Sequence, residues 1–274
     1  MPDNVAVNTP TTPSPQVALI TGAGQGIGRA CAQLLAAQGW HVVVCGRQEA
    51  PLRAVVHDIQ SIGGQAQQVV GDLSSQLFWE QLNALPVRPQ LLVHNACQPA
   101  RFGVLESVPF DEIKGVMDST LMAGLQLAQW AVPAMKAAGF GRLVYVGSAA
   151  AQSGAHGQVA YAAAKAGLQG LVRSLAVETG RDGITCNLVE PGFIDTERTR
   201  GAVADGVRNA LTARTAVGRA GTPDDVAGVV AFLASPAGAY LTGVTVPVTG
   251  GFGLGLLHAS AGPKARPDGV SHEA

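Results

Sequence analysis

Seven short, mostly apolar runs follow one another along this chain, at 17–21, 41–45, 67–70, 91–94, 143–146, 184–189 and 244–248. A half-exposed strand alternates apolar with polar residues, whereas a strand buried on both faces has no need to. Stretches with helical spacing lie between the runs, at 26–38, 51–61, 110–136, 159–179 and 223–234; the first of them puts Ile27, Ala30, Leu34 and Leu35 on one face. Strand and helix in alternation predict one α/β domain, a doubly wound parallel sheet of about seven strands with helices on both faces. Pro133 falls inside 110–136 and is expected to bend that helix or end its regular bonding.

Composition agrees and narrows the partners. The chain has 274 residues, 47% of them hydrophobic, enough for one large core. It carries 35 glycines and only 5% aromatics, which suits helices packed closely on a sheet. A net charge of -1 gives no electrostatic case for nucleic acid or an anionic membrane surface. Cys31, Cys45, Cys97 and Cys186 have neither CxxC nor zinc-ligand spacing, so they read as packed thiols in a reducing compartment, the cytoplasm, and no metal is expected. Residues 1–15 lack the basic and apolar regions of a signal peptide and are expected to form a disordered arm. Residues 258–274 are expected to form a loose tail, leaving one domain over 16–257. No apolar run is long enough to span a bilayer.

The first run ends at Thr21 and enters Gly22-Ala23-Gly24-Gln25-Gly26-Ile27-Gly28, with a helix directly after. Such a turn lets a pyrophosphate approach the backbone, and the helix N-terminus adds unpaired N–H groups and partial positive charge. A glycine pattern alone is weak, but here it opens the first strand–helix unit, the context that dinucleotide binding requires. The second chemical signal is Ser148, Tyr161 and Lys165. Tyr161 and Lys165 stand four apart on a predicted helix and share a face. An ammonium beside a phenol favours the phenolate, so a tyrosine can exchange a proton with an alcohol near neutral pH. Ser148 follows the fifth run, where its hydroxyl can bond a carbonyl oxygen.

Thr21-Gly22-xxx-Gly26-x-Gly28 together with Ser148 and Tyr161-xxx-Lys165 resembles the short-chain dehydrogenase/reductase family, and the resemblance covers about residues 16–252. It implies a Rossmann-like nicotinamide oxidoreductase that interconverts a ketone and a secondary alcohol, with hydride delivered from the pro-S face. Further positions carry over. Asp72 and Leu73 resemble the pair that borders the adenine, and Asn95 and Ala96 the centre of an Asn-Asn-Ala-Gly motif facing the cofactor ribose, with His94 and Cys97 in place of its first and last residues. Thr120 falls where the family places an Asn that holds a relay water. Pro191, Gly192, Ile194 and Thr196 resemble the turn that meets the nicotinamide carboxamide and a phosphate. An NAD-specific member ends its second strand with a carboxylate. Here Gly46 and Arg47 stand instead, and a guanidinium can pair with a 2′-phosphate, so NADP(H) is expected over NAD(H).

A substrate lid is expected over about residues 193–218, with His156 as a candidate pocket residue. Arg198, Arg200, Arg208 and Arg214 could attract an anionic substrate, but the interspersed Asp195, Glu197 and Asp205 favour a solvated helix face. The text from Tyr161 to Arg200 most resembles 3-oxoacyl-carrier-protein reductases, which implies reduction of a 3-oxoacyl thioester. Those enzymes hold an acidic carrier protein with basic residues at two places that are Gly139 and Asp182 here, leaving Arg142, Arg173 and Arg181 as substitutes. A free small ketone is the enzymatic alternative, and a non-catalytic dinucleotide sensor the alternative of another kind. By resemblance, the helices at 110–136 and 159–179 pair copies of the chain into a homotetramer.

Overall fold

In the structure, a computed structural model that describes residues 16–86, 88–98 and 101–254, every one of the seven runs is a strand. The expected arm at 1–15 and tail at 258–274 lie outside the described residues. The strands are β1 Val17–Thr21, β2 His41–Gly46, β3 Gln65–Val70, β4 Leu91–His94, β5 Gly141–Val146, β6 Ile184–Pro191 and β7 Thr245–Val248. All pairs are parallel, in the order β3-β2-β1-β4-β5-β6-β7. The order reverses between β1 and β4, and in such a sheet the crevice outside the strand C-termini at that point takes the ligand. The expected doubly wound sheet is borne out.

The helices are α1 Gly26–Ala37, α2 Glu49–Ser61, α3 Gln76–Asn83, α4 Phe110–Met117, α5 Ala123–Ala138, a short turn α6 Ala150–Ser153, α7 Val159–Thr179, α8 Glu197–Ala202, α9 Asp205–Ala213 and α10 Pro223–Ala234. Two apolar layers sandwich the sheet. Ala18, Ile20, Val42 and Val44 pack with α1 and α10, while Leu19, Val43, Leu143 and Leu188 pack with α5 and α7. Successive residues of one strand thus enter opposite layers, which is why these strands show no polar alternation.

Two differences from the sequence reading matter. The stretch 110–136 is interrupted, but not at Pro133: a π turn, Asp118–Met122, separates α4 from α5, and α5 runs through Pro133 to Ala138. Pro133 lies on the exposed side of α5, where water can satisfy the carbonyl its missing N–H leaves free. Helix α3 was not expected from the apolar pattern. Only Phe78 and Leu82 of its eight residues are buried, and its start is fixed by Ser75, whose hydroxyl accepts from the Phe78 N–H at 3.2 Å.

Candidate active site

The glycine turn closes as tightly as the sequence suggests. Gly22 has φ +65° and Gly26 φ +53°, and a Cβ on Gly28 would lie 2.3 Å from the Gly22 carbonyl oxygen. No side chain with a Cβ fits there. The α1 N-terminus beyond it already draws an anion, since the Gly26 N–H donates to Glu197 Oε2 at 3.2 Å and Arg29 pairs with the same carboxylate. Gln25, the N-cap, makes no side-chain cap bond, and Ile27 packs against the α1 layer. Thr196 closes over the turn, its Cγ2 3.2 Å from where a Gly26 Cβ would stand. These residues fit a pyrophosphate-bearing dinucleotide: helix N–H groups that the N-cap side chain leaves free, an anion-attracting terminus and room only for backbone.

The ends of β1 and β4 form the floor of this crevice. Asn95 Nδ2 donates to the Thr21 and Gly22 carbonyls at 3.2 and 3.1 Å, so its amide holds the glycine turn in place. Thr21 Oγ1 accepts from the backbone N–H groups of Asn95 and Ala96 at 3.1 and 3.0 Å. Its own proton therefore goes to His94 Nδ1, 3.0 Å away. With Nδ1 accepting, the neutral ring carries its proton on Nε2 and donates to the Thr120 carbonyl at 2.8 Å. His94 is 1% exposed, and its ring also packs edge-on against Tyr145. Sequence reading recorded His94 only as a departure from a motif; its part in joining β1, β4 and the π turn could not be read without the contacts.

Burial pushes the His94 imidazole down to about 4 from its ordinary 6.5; the Lys165 charge adds to this and the bond to Thr120 opposes it. The sign of the consequence follows. Between about pH 6.5 and 4 the unfolded chain binds a proton that the folded chain refuses, so the stability is complete above that window and is lost as the pH falls through it. The loss is about 3 kcal/mol. His94→Asn should therefore show a flatter dependence of the urea midpoint on pH than the wild type over this window. Parallel curves for the two proteins would contradict the buried neutral ring.

Lys165 lies inside the protein, 3% exposed, with Nζ donating to the Val146 carbonyl at 2.6 Å and 5.8 Å from the Tyr161 ring centroid. Tyr161 is half-buried in the first turn of α7. Ser148 stands just beyond β5, its Oγ accepting from the Ala150 N–H at 3.2 Å. The Ala149 N–H donates to the Pro191 carbonyl at 2.9 Å, which fastens the Ser148 segment to the Pro191–Gly192 turn. Thr120 is fully buried, and its Oγ1 has no hydrogen-bond partner among the described residues. An orphaned buried hydroxyl is costly, and a water is the usual remedy.

The remaining candidates are more dispersed. Asp72 accepts from the Ser74 N–H and hydroxyl at 2.8 and 2.6 Å, and these bonds, ahead of Arg47, hold its carboxyl below the usual range. Arg47 is 4.0 Å from Asp72, an exposed contact worth at most about 1 kcal/mol, so the guanidinium is available to a stronger anion. Leu73 is buried below it. Ile194 sends its side chain into the core, and its carbonyl accepts from Thr199 Oγ1 at 2.9 Å. Thr196 Oγ1 serves first as the N-cap of α8, accepting from the Thr199 N–H at 3.2 Å. His156 is exposed in the loop between α6 and α7. Cys97 is half-buried near the Gln98 carbonyl, whereas burial pushes the Cys31 thiol up to about 12.

Residues 193–218 contain α8 and α9. Arg200 and Arg208 both pair with Asp195, at 3.1 and 2.7 Å, so their charge is locally balanced. The basic residues considered for carrier docking lie elsewhere. Arg142 is 5% exposed at the start of β5, the end of the sheet opposite the site, bonded to the Gly141 carbonyl. Arg173 lies on α7 about 18 Å along the axis from Tyr161, and Arg181 follows the far end of the same helix. Arg142 and Arg181 lie at the end of the fold that also holds Gly139 and Asp182, the two positions considered for carrier binding. No group of residues that could hold a metal ion is present, and no helix is long and apolar enough to cross a membrane, among the described residues.

Comparison with known proteins agrees with this geometry. A family model described as Enoyl-(Acyl carrier protein) reductase matches residues 22–253. The 3-oxoacyl-[acyl-carrier-protein] reductase FabG of Escherichia coli is 38% identical over 237 residues, covering 86% of this chain and 96% of that protein. Among solved structures, a 3-oxoacyl (acyl-carrier-protein) reductase from Agrobacterium tumefaciens with NADP bound superimposes with a TM-score of 0.79 at 33% identity, over 86% of this chain and 94% of that one. A variant of actinorhodin polyketide ketoreductase with NADPH gives 0.82 at 31% identity, over 88% and 98%.

Proposed function

The chain belongs to the short-chain dehydrogenase/reductase family of oxidoreductases acting on CH–OH/C=O groups, and from that premise we propose that it reduces a ketone to a secondary alcohol with NADPH. The observation that carries this reading is the buried Lys165, held by the Val146 carbonyl beneath Tyr161 at the crevice where the strand order reverses. A lysine buried without a carboxylate partner is costly, and a phenol that must bear negative charge beside it accounts for it.

Gly22, Gln25, Gly26, Ile27 and Gly28 would hold the pyrophosphate, Asp72 and Leu73 the adenine side, Asn95 and Ala96 the floor, and Pro191, Gly192, Ile194 and Thr196 the nicotinamide end. When bound, the nicotinamide supplies the hydride for the carbonyl carbon. Tyr161 gives its proton to the carbonyl oxygen as the C–O bond becomes single. Lys165 stabilises the charge left on the phenol oxygen. Ser148 donates to the same carbonyl oxygen and orients it, and His156 borders the substrate. Thr120 anchors the water from which Tyr161 is reprotonated.

Arg47 sets the preference for NADPH over NADH. Its exposed, weak contact with Asp72 is readily exchanged for a 2′-phosphate. Arg47→Ala should raise KM for NADPH by about tenfold or more, the worth of a charged hydrogen bond, and leave KM for NADH nearly unchanged. A wild-type protein that prefers NADH would contradict this assignment.

Two contextual readings accompany this one. The enzyme acts in the cytoplasm, and copies assemble as a homotetramer through α5 and α7, where Met122 and Leu125 near the start of α5 and Val177 on α7 are exposed. Light scattering should report four chains per particle at micromolar protein; a monomer would reject it. The substrate is a ketone, with a 3-oxoacyl thioester as the first candidate and a free small-molecule ketone as the alternative. NADPH oxidation with cyclic ketones, linear ketones and acetoacetyl-CoA tests the activity. Turnover of at least one is expected, and tight NADPH binding with no turnover across the series would favour a sensor instead.

A further inference from the structure

His94 is a buried titratable group that the proton chemistry leaves unused, and both its ring nitrogens have partners. Both ring nitrogens are bonded, to Thr21 Oγ1 and the Thr120 carbonyl, and the ring rests against Gly124, where a Cβ would come within 3.2 Å of both His94 and Tyr145. Tyr145 in turn donates to the Gly124 carbonyl at 3.1 Å. Two side chains of adjacent strands thus grip carbonyls within and just after the one irregular stretch of this helix, the π turn Asp118–Met122. A π turn widens the regular ladder and is unfavourable unless something outside the helix supports it. The same turn carries the orphaned Thr120 hydroxyl. The Thr21 end of the chain of bonds is the residue that holds Asn95 and Ala96 at the crevice floor.

We propose that His94 is a positioning residue for the Tyr161–Lys165 proton machinery: bonded at one nitrogen to Thr21 and at the other to the Thr120 carbonyl, it locks the π turn to the dinucleotide floor and so sets the place of the Thr120 hydroxyl. The proposal rests on the ketoreductase reading of this site. It assigns no proton transfer to His94. The ring acts as a rigid two-ended strut, donor at Nε2 and acceptor at Nδ1, and the residue it positions is Thr120. A bare steric role would need only the ring's shape. The positioning role needs the Nε2–H donor.

The variants separate these roles. In His94→Gln the amide can still reach the Thr120 carbonyl, while His94→Phe keeps a flat ring and loses both bonds. With the full-length protein, turnover is followed by NADPH oxidation with acetoacetyl-CoA or cyclohexanone, whichever the wild type reduces faster. NADPH affinity is read by fluorescence. His94→Phe should lower kcat by up to ~10²-fold, the scale of a misplacement remote from the reacting atoms. NADPH affinity should stay near the wild-type value, and the solvent-deuterium isotope effect on kcat should rise as proton delivery becomes limiting. His94→Gln should restore most of kcat. A His94→Phe protein with wild-type kcat, or a loss of kcat that Gln does not rescue, or one matched by an equal loss of NADPH affinity, overturns the proposal. Tyr161→Phe in the same assay keeps the two readings apart, because its retained turnover would condemn the reading of the site itself. Nitrogen NMR of histidine-labelled wild type decides His94 without any substrate. One protonated and one unprotonated ring nitrogen, unchanged from about pH 8 to 5, is expected, and a ring that titrates in that range overturns the strut.

Discussion

Tyr161→Phe is expected to fold, to bind NADPH as the wild type does, and to reduce ketones more slowly by ~10²–10⁴, the usual cost of removing a general acid. The substitution takes away one oxygen and keeps the ring. That ring is half-buried in the first turn of α7, and the Lys165 Nζ lies 5.8 Å from its centre, so the packing on both sides is unchanged. The Lys165 ammonium keeps its bond to the Val146 carbonyl. Nothing in the glycine turn or the Asn95 bonds depends on the phenol oxygen. The loss should therefore fall on kcat, with NADPH affinity and melting temperature preserved. Steady-state kinetics with a confirmed ketone, beside a fluorescence titration with NADPH, checks it. If the variant kept most of its turnover, the assignment of Tyr161 as proton donor would have to be abandoned.

Lys165→Ala is expected to do more damage of a different kind. Lys165 is 3% exposed, and its stem fills the contact between α7 and the end of β5. Truncation to Ala removes the charge that stabilises the phenolate and leaves the Val146 carbonyl without its donor in a place water reaches poorly. It also opens a cavity, at a cost of about 2–5 kcal/mol for a large side chain. Turnover should fall by ~10² or more, NADPH affinity should weaken, and the protein should melt earlier. Lys165→Met separates the causes. Its unbranched side chain refills most of the space, so stability should largely return while turnover stays low. A Met variant that recovers turnover along with stability would show that Lys165 matters here only as packing.

Much of this architecture was legible from local pattern, and the parts that were not share a physical reason. The five central strands declared themselves because burial on both faces demands a largely apolar run, whereas the edge strands β3 and β7 are only partly buried; α7 and α10 declared themselves through long, regular spacing. The glycine turn was legible because Gly22, Gly26 and Gly28 stand where only a missing Cβ will do. Helix α3 escaped because two buried residues in eight make no clear period. The break in the long helix was assigned to Pro133, yet it lies at Asp118–Met122, where support comes from His94 and Tyr145 on strands 21 to 26 residues away in sequence. Thr196 was read for its hydroxyl, and the fold uses that oxygen first to cap α8. Local spacing reports elements and tight turns; hydrogen bonds between distant segments decide which polar groups remain free for a ligand.

The central claim is hydride transfer from NADPH to a carbonyl carbon at this crevice, and isotope transfer tests it most directly. The wild-type protein is supplied in turn with the two C4-deuterated epimers of NADPH and a ketone that it reduces, and the product alcohol is weighed by mass spectrometry. The account predicts deuterium on the carbinol carbon from the pro-S epimer alone, with ~10²–10⁴-fold less of the labelled alcohol from Tyr161→Phe over the same time. An alcohol left unlabelled with the pro-S epimer, or labelled with the other, would contradict it.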